Sequence, residues 1–115
     1  MTEREGIAVS TIQYNKLIRD RIPKIIEASG KRCVCSTLSD EEYLAKLDEK
    51  LNEELAEYQE SKAMEELADL LEVIRAVVAA RGSSMEEVEA MRRDKAVERG
   101  GFEKRILLTE VTIDD

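Results

Sequence analysis

Histidine is absent from the 115 residues, and so is tryptophan. Without an imidazole the chain has no Ser/His/Asp triad, no Cys/His dyad, no histidine general base and no His-containing zinc site. Two cysteines, Cys33 and Cys35, are too few for a four-thiolate zinc or iron–sulfur centre. Their i,i+2 spacing is poor geometry for a mutual disulfide, so both read as small packed hydrophobes in a reducing compartment. With one proline, five glycines and no repeat or low-complexity tract, the elements should be compactly joined. No apolar run nears the ~20 residues that a membrane span requires. Met1–Gly6 is polar and mixed in charge, unlike the apolar region of a secretory signal. The expectation is one cytoplasmic domain over 1–115, with 1–13 a flexible or extended segment. Its chemistry is left to carboxylates, Lys, Tyr, Cys or a hard metal ion.

Charge is plentiful and unevenly placed. The net charge of −8 disfavours a nucleic acid polymer as partner, because such binding needs a cationic surface. Tyr14 to Arg32 carries a net +4, Asp40 to Glu72 a net −10, and Arg92 to Arg105 a net +3. An acidic centre therefore lies between two basic flanks.

Helix signals dominate. Pro23 suits a first helical turn and Gly30 the left-handed stop of a short helix. Ser39 with Glu42 is a capping-box pair, and Leu44, Leu47, Leu51, Leu55 and Tyr58 then recur at helical spacing over about 40–60. A break near Ser61-Lys62 leads into a second helix from Ala63 to Arg81, closed by Gly82; the short link makes the two antiparallel neighbours. Ser84 with Glu87 opens a further helix, from Met85 to about Arg99, that stops at Gly100-Gly101. Residues 32–38 and 105–113 alternate β-favouring and polar types and predict short extended or strand segments. The fold class is thus all-α, an antiparallel helical bundle. Between Leu67 and Ala80 only Asp69, Glu72 and Arg75 are polar. A helix apolar nearly all round must be covered on more than one side, which calls for a second subunit.

The acids sit at telling positions. Glu54 and Glu57 are three apart on one long helix, Glu66 and Asp69 three apart on the next, and i,i+3 residues are surface neighbours. On the helical wheel Glu54 borders the leucine stripe, Glu57 is on its flank and Glu53 is nearly opposite. Asp69 interrupts a row of apolar and small residues. Such carboxylates are costly to desolvate unless a cation or hydrogen bonds compensate. Two pairs on adjacent antiparallel helices could converge on one divalent ion, and oxygen-only ligation favours Mg²⁺ or Mn²⁺. The same acids could instead pair with Lys46, Lys50 and Lys62, or simply solvate the surface.

The segments Glu53-Glu54-Leu55-Ala56-Glu57 and Glu65-Glu66-Leu67-Ala68-Asp69 resemble the EExxE…ExxD signature of the all-α nucleoside triphosphate pyrophosphohydrolases. That MazG-like superfamily includes the phosphoribosyl-ATP pyrophosphohydrolases. The stretches from Tyr14 to Ile26 and from Lys95 to Phe102 are similar to segments of a short MazG-like subgroup, so the likeness runs from Tyr14 to about Leu108. The eight residues between Glu57 and Glu66 are fewer than is usual in the superfamily.

The resemblance implies Mg²⁺-dependent hydrolysis of a nucleoside triphosphate between its α- and β-phosphates, giving a nucleoside monophosphate and pyrophosphate. It implies Glu54, Glu57, Glu66 and Asp69 as metal ligands, with Glu54 or Glu53 orienting a metal-acidified water. Lys95 and Arg99, i,i+4 on one helix, are implied as phosphate contacts, with Lys16 and Arg19 next. A house-cleaning role is the expected one. The alternatives are phosphoribosyl-ATP hydrolysis and a noncatalytic helical module that binds nucleotides or regulates. A homodimer or homotetramer is expected, with no membrane partner.

Overall fold

The computed structural model describes residues 9–114. The reading of Met1–Gly6 lies outside them, as does most of the segment 1–13. Four helices form, α1 Ile22–Ala28, α2 Asp40–Ser61, α3 Met64–Ala80 and α4 Met85–Arg99, and no strand forms among the described residues. The chain divides between Val77 and Val78 into two compact units. No described helix is long and apolar enough to cross a membrane.

In the first unit, each helix starts and stops for a local reason. Pro23 lies in the first turn of α1. Beyond α1, the Gly30 N–H reaches Glu27 O and the Lys31 N–H reaches Ile26 O, with Gly30 at φ 89°. This left-handed stop suits glycine because no Cβ meets the carbonyl. At the head of α2, Ser39 Oγ accepts from the Glu42 N–H at 3.3 Å while Glu42 Oε1 accepts from the Ser39 N–H at 3.1 Å. Two of the orphan N–H groups of a helix start are thereby satisfied. Helix α2 ends at Lys62, left-handed at φ 59°, whose N–H bonds to Tyr58 O at 2.7 Å.

The chain then turns back. One continuous helix would hold residues 54 and 69 roughly 22 Å apart, yet carboxylate oxygens of Glu54 and Asp69 lie within 4.8 Å. The two-residue link Lys62-Ala63 therefore folds α3 against α2. Leu47 on α2, 2% exposed, and Val73 on α3, 9% exposed, are the buried apolar side chains among the described residues.

The second unit holds the end of α3, then α4 and the tail. Gly82, at φ 83°, closes α3 as Gly30 closes α1: the Gly82 N–H bonds to Ala79 O and the Ser83 N–H to Val78 O. Ser84 Oγ caps α4 by accepting from the Glu87 N–H at 3.2 Å. The Glu87 carboxylate accepts instead from Ser83 Oγ at 2.8 Å, so the capping box is half formed.

Of the extended and strand alternatives for 32–38 and 105–113 the strand is not realised, and the expected packing of the cysteines is corrected. Residues 32–38 and 105–113 form no strand; β-propensity is realised only beside another strand, and neither segment has one. Val34, Ile106, Leu107, Leu108, Val111 and Ile113 are consequently exposed. The cysteines are also less packed than expected: Cys33 is half-buried and Cys35 exposed, both free, with their sulfurs 4.0 Å apart.

Candidate metal centre

The helical hairpin carries the acids. Residues three apart on a helix share a face, so Glu66 and Asp69, one turn into α3, present their carboxylates together. Glu54 on α2 meets them where the chain folds back, and one oxygen from each of the three lies within 4.8 Å of the others. All three are half-buried, with the Glu54 side chain only 13% exposed. Like charges so placed repel. The Glu66 carboxyl is pushed above its ordinary range by desolvation first, then by the charges of Glu57, Asp69, Glu54 and Glu65. Glu57 is exposed and is not one of the three whose oxygens meet, although its charge is felt at Glu66.

An octahedral Mg²⁺ sets its oxygens about 3 Å apart when adjacent and about 4.2 Å when opposite. Spacing within 4.8 Å is close to that arrangement. The donor set is entirely carboxylate, the type that hard divalent cations prefer. The residues present therefore fit Mg²⁺ or Mn²⁺.

Basic groups face the same acids. Arg19 Nη2 donates to Asp69 Oδ1 at 2.8 Å, and Lys16 Nζ lies 3.4 Å from Glu53 Oε1. Lys50 Nζ sits 3.2 Å from Glu53 Oε1 and 3.6 Å from Glu54 Oε1. Of the lysines weighed as partners for the acids, Lys50 takes that part at the cluster. Lys46 pairs with Glu49 at 3.3 Å, and Lys62 stands 5.4 Å over the Tyr58 ring.

Glu53 departs from its position on the helical wheel. Nearly opposite the leucine stripe, it should be open to solvent, yet its side chain is only 25% exposed. The segment from Tyr14 to Leu17 runs beside α2 and covers it. Between them is a cleft of about 310 Å³ lined by Tyr14 to Leu17 and by Lys46, Glu49, Lys50 and Glu53. From the sequence Lys50 is one of three lysines that could pair with the acids, with nothing to set it above Lys46 and Lys62 but its spacing. Its signal was the i,i+3 and i,i+4 spacing to Glu53 and Glu54. Lys95 and Arg99 are exposed on α4, in the second unit.

No family model matches the chain, and no solved structure matches it. A stretch of 42 residues, 36% of the chain, is 62% identical to an uncharacterized protein of Mycolicibacterium smegmatis. The chain spans 43% of the length of that relative.

Proposed function

We propose that this protein is a Mg²⁺-dependent nucleotide pyrophosphohydrolase that splits nucleoside triphosphates between the α- and β-phosphates, as a dimer or tetramer. One observation carries the reading: carboxylates from two helices, Glu54, Glu66 and Asp69, bring oxygens within 4.8 Å of one another. Like charges half-buried at such spacing are costly unless cations compensate; Arg19 at Asp69 and Lys50 at Glu54 do so in part, and the Glu66 carboxyl is still held above its ordinary range. The MazG-like resemblance of the surrounding segments supplies the reaction type.

In this reading Glu54, Glu66 and Asp69 hold the cation, with Glu57, whose charge is felt at Glu66, the fourth acid that the resemblance implies. Bound there, Mg²⁺ or Mn²⁺ would screen phosphate charge and acidify a water. Glu54 or Glu53 would orient that water; Lys50 lies beside both, and Lys16 beside Glu53 as well. The resemblance offers Lys95 and Arg99 as phosphate contacts, with Lys16 and Arg19 next, and a net acidic chain needs such cations to hold a polyanion. House-cleaning of nucleotides remains the preferred role over phosphoribosyl-ATP hydrolysis.

The ion pairs favour one rival, a noncatalytic module whose acids serve to hold the N-terminal segment against the hairpin. A nucleotide panel assayed for pyrophosphate release separates the two. Turnover is expected with Mg²⁺ and none with chelator. Glu54→Gln and Asp69→Asn, near-isosteric, should each lower the rate by on the order of a hundredfold or more while helicity is kept. Wild-type rates in either variant would discard the metal assignment, and a folded, Mg²⁺-loaded protein that turns over no nucleotide would favour the rival.

A further inference from the structure

Two basic side chains of a single segment reach acids on two different helices. Lys16 bonds Glu53 on α2, 37 residues away, and Arg19 bonds Asp69 on α3, 50 residues away. Between residues 9 and 19 the segment forms neither helix nor strand, so it crosses the hairpin as a strap attached by its side chains. Asn15 lets it bend, at φ 50°, a left-handed conformation that asparagine tolerates.

Arg19 is aimed at the same oxygen donors that a divalent cation would need. Asp69 Oδ1 receives its guanidinium at 2.8 Å, and a carboxylate oxygen engaged in a charge-assisted bond is a poorer ligand for a second cation. A fixed positive charge at that distance also repels an incoming one. The attachment is nevertheless light, since the paired side chains are 58% and 43% exposed, and exposed pairs are weak.

We propose that the strap bearing Lys16 and Arg19 is a tethered counter-cation that competes with the divalent ion for the acid cluster and is released when the ion binds. The proposal rests on the reading of Glu54, Glu66 and Asp69 as a cation site and describes its regulation. Release uncovers the wall of the cleft along Lys46, Glu49, Lys50 and Glu53. It also frees two basic side chains for an anionic ligand. Loading of the cation and binding of phosphate are then coupled through one segment, each favouring the open strap.

Mn²⁺ titration of the full chain, followed by electron paramagnetic resonance without nucleotide, tests this. Arg19→Gln should bind Mn²⁺ about two- to fivefold more tightly than wild type, the range that an exposed ion pair can shift. Arg21→Gln makes the same change in net charge at a residue outside these ion pairs and should leave the affinity near wild type. Lys16→Gln should tighten binding in the same direction as Arg19→Gln. Release is read by limited trypsin digestion of metal-free and Mg²⁺-loaded protein: cleavage after Lys16 and Arg19 should rise with Mg²⁺ relative to cleavage after Arg105 in the same digest. Equal Mn²⁺ affinity in wild type, Arg19→Gln and Lys16→Gln, or equal tightening by Arg21→Gln, overturns the strap while leaving the cation site standing. Metal-insensitive cleavage after Lys16 and Arg19 does the same. No Mn²⁺ binding by wild type or any variant overturns the cation site, and the strap with it.

Discussion

Glu66 is the side chain on which the electrostatics of the hairpin press hardest. Desolvation and four neighbouring acids hold its carboxyl above the ordinary range. A raised carboxyl pKa means that the folded protein binds the proton better than the unfolded chain does. The contribution of Glu66 to stability is therefore full below its unfolded pKa and is lost as pH rises through the folded one. Glu66→Gln removes the charge. In metal-free protein it should melt higher than wild type near neutral pH, and the difference should shrink towards zero below about pH 4, where the native carboxyl is protonated too. Melting followed by circular dichroism across this range checks the sign. Glu42 is the opposite case, its carboxyl lowered by the hydrogen bonds from Ser39, so its contribution is lost as pH falls. That Glu66 and Asp69 share a face was legible in the sequence because i,i+3 spacing is local, whereas Glu57, spaced from Glu54 in the same way, lies outside the three whose oxygens meet. The covering of Glu53 was not legible, because it depends on where a coil with no periodicity runs.

The elements themselves were read to within about a residue at their ends, and the reason is chemical. Ser39, Gly30, Gly82 and Ser84 are capping residues whose side chains, or lack of one, settle a helix end locally. Lys62 carries no such signal. It is a non-glycine residue at φ 59°, held there by the reversal between α2 and α3 and by the Tyr58 carbonyl. A β-branched residue tolerates this conformation least. Lys62→Val should destabilise the protein by about 1–2 kcal/mol, whereas Lys62→Gly should be neutral or stabilising, as urea unfolding would report. The segments 32–38 and 105–113, where the strand alternative is not realised, show the other side of the same rule. A capped helix satisfies its own backbone, but a strand needs a neighbour that no sequence window contains.

At the scale of the whole molecule, the described residues leave many apolar side chains in the open. Met64, Leu67 and Leu71 follow one another at three- and four-residue steps along α3 and are 69%, 37% and 52% exposed, which sets them on one face. With Leu47 and Val73 as the buried apolar residues, self-association through that face is the expected outcome. Light scattering should give a mass of two or more chains, and the double substitution Leu67→Glu with Leu71→Glu should lower it towards one chain without loss of helicity. A single-chain mass for the wild type would count against this. The apolar circumference of α3 was visible in the sequence; what covers it was not, because a periodic pattern states that a face is greasy and not which surface meets it.

The three converging carboxylates all lie between Glu54 and Asp69, joined by a link of two residues. Bringing them together requires closing one very short loop, among the least demanding steps in chain entropy. Their encounter has low contact order, and structure of that kind forms early and fast. During refolding the acids would thus gather before the N-terminal strap docks, at a stage when Asp69 has no Arg19 beside it.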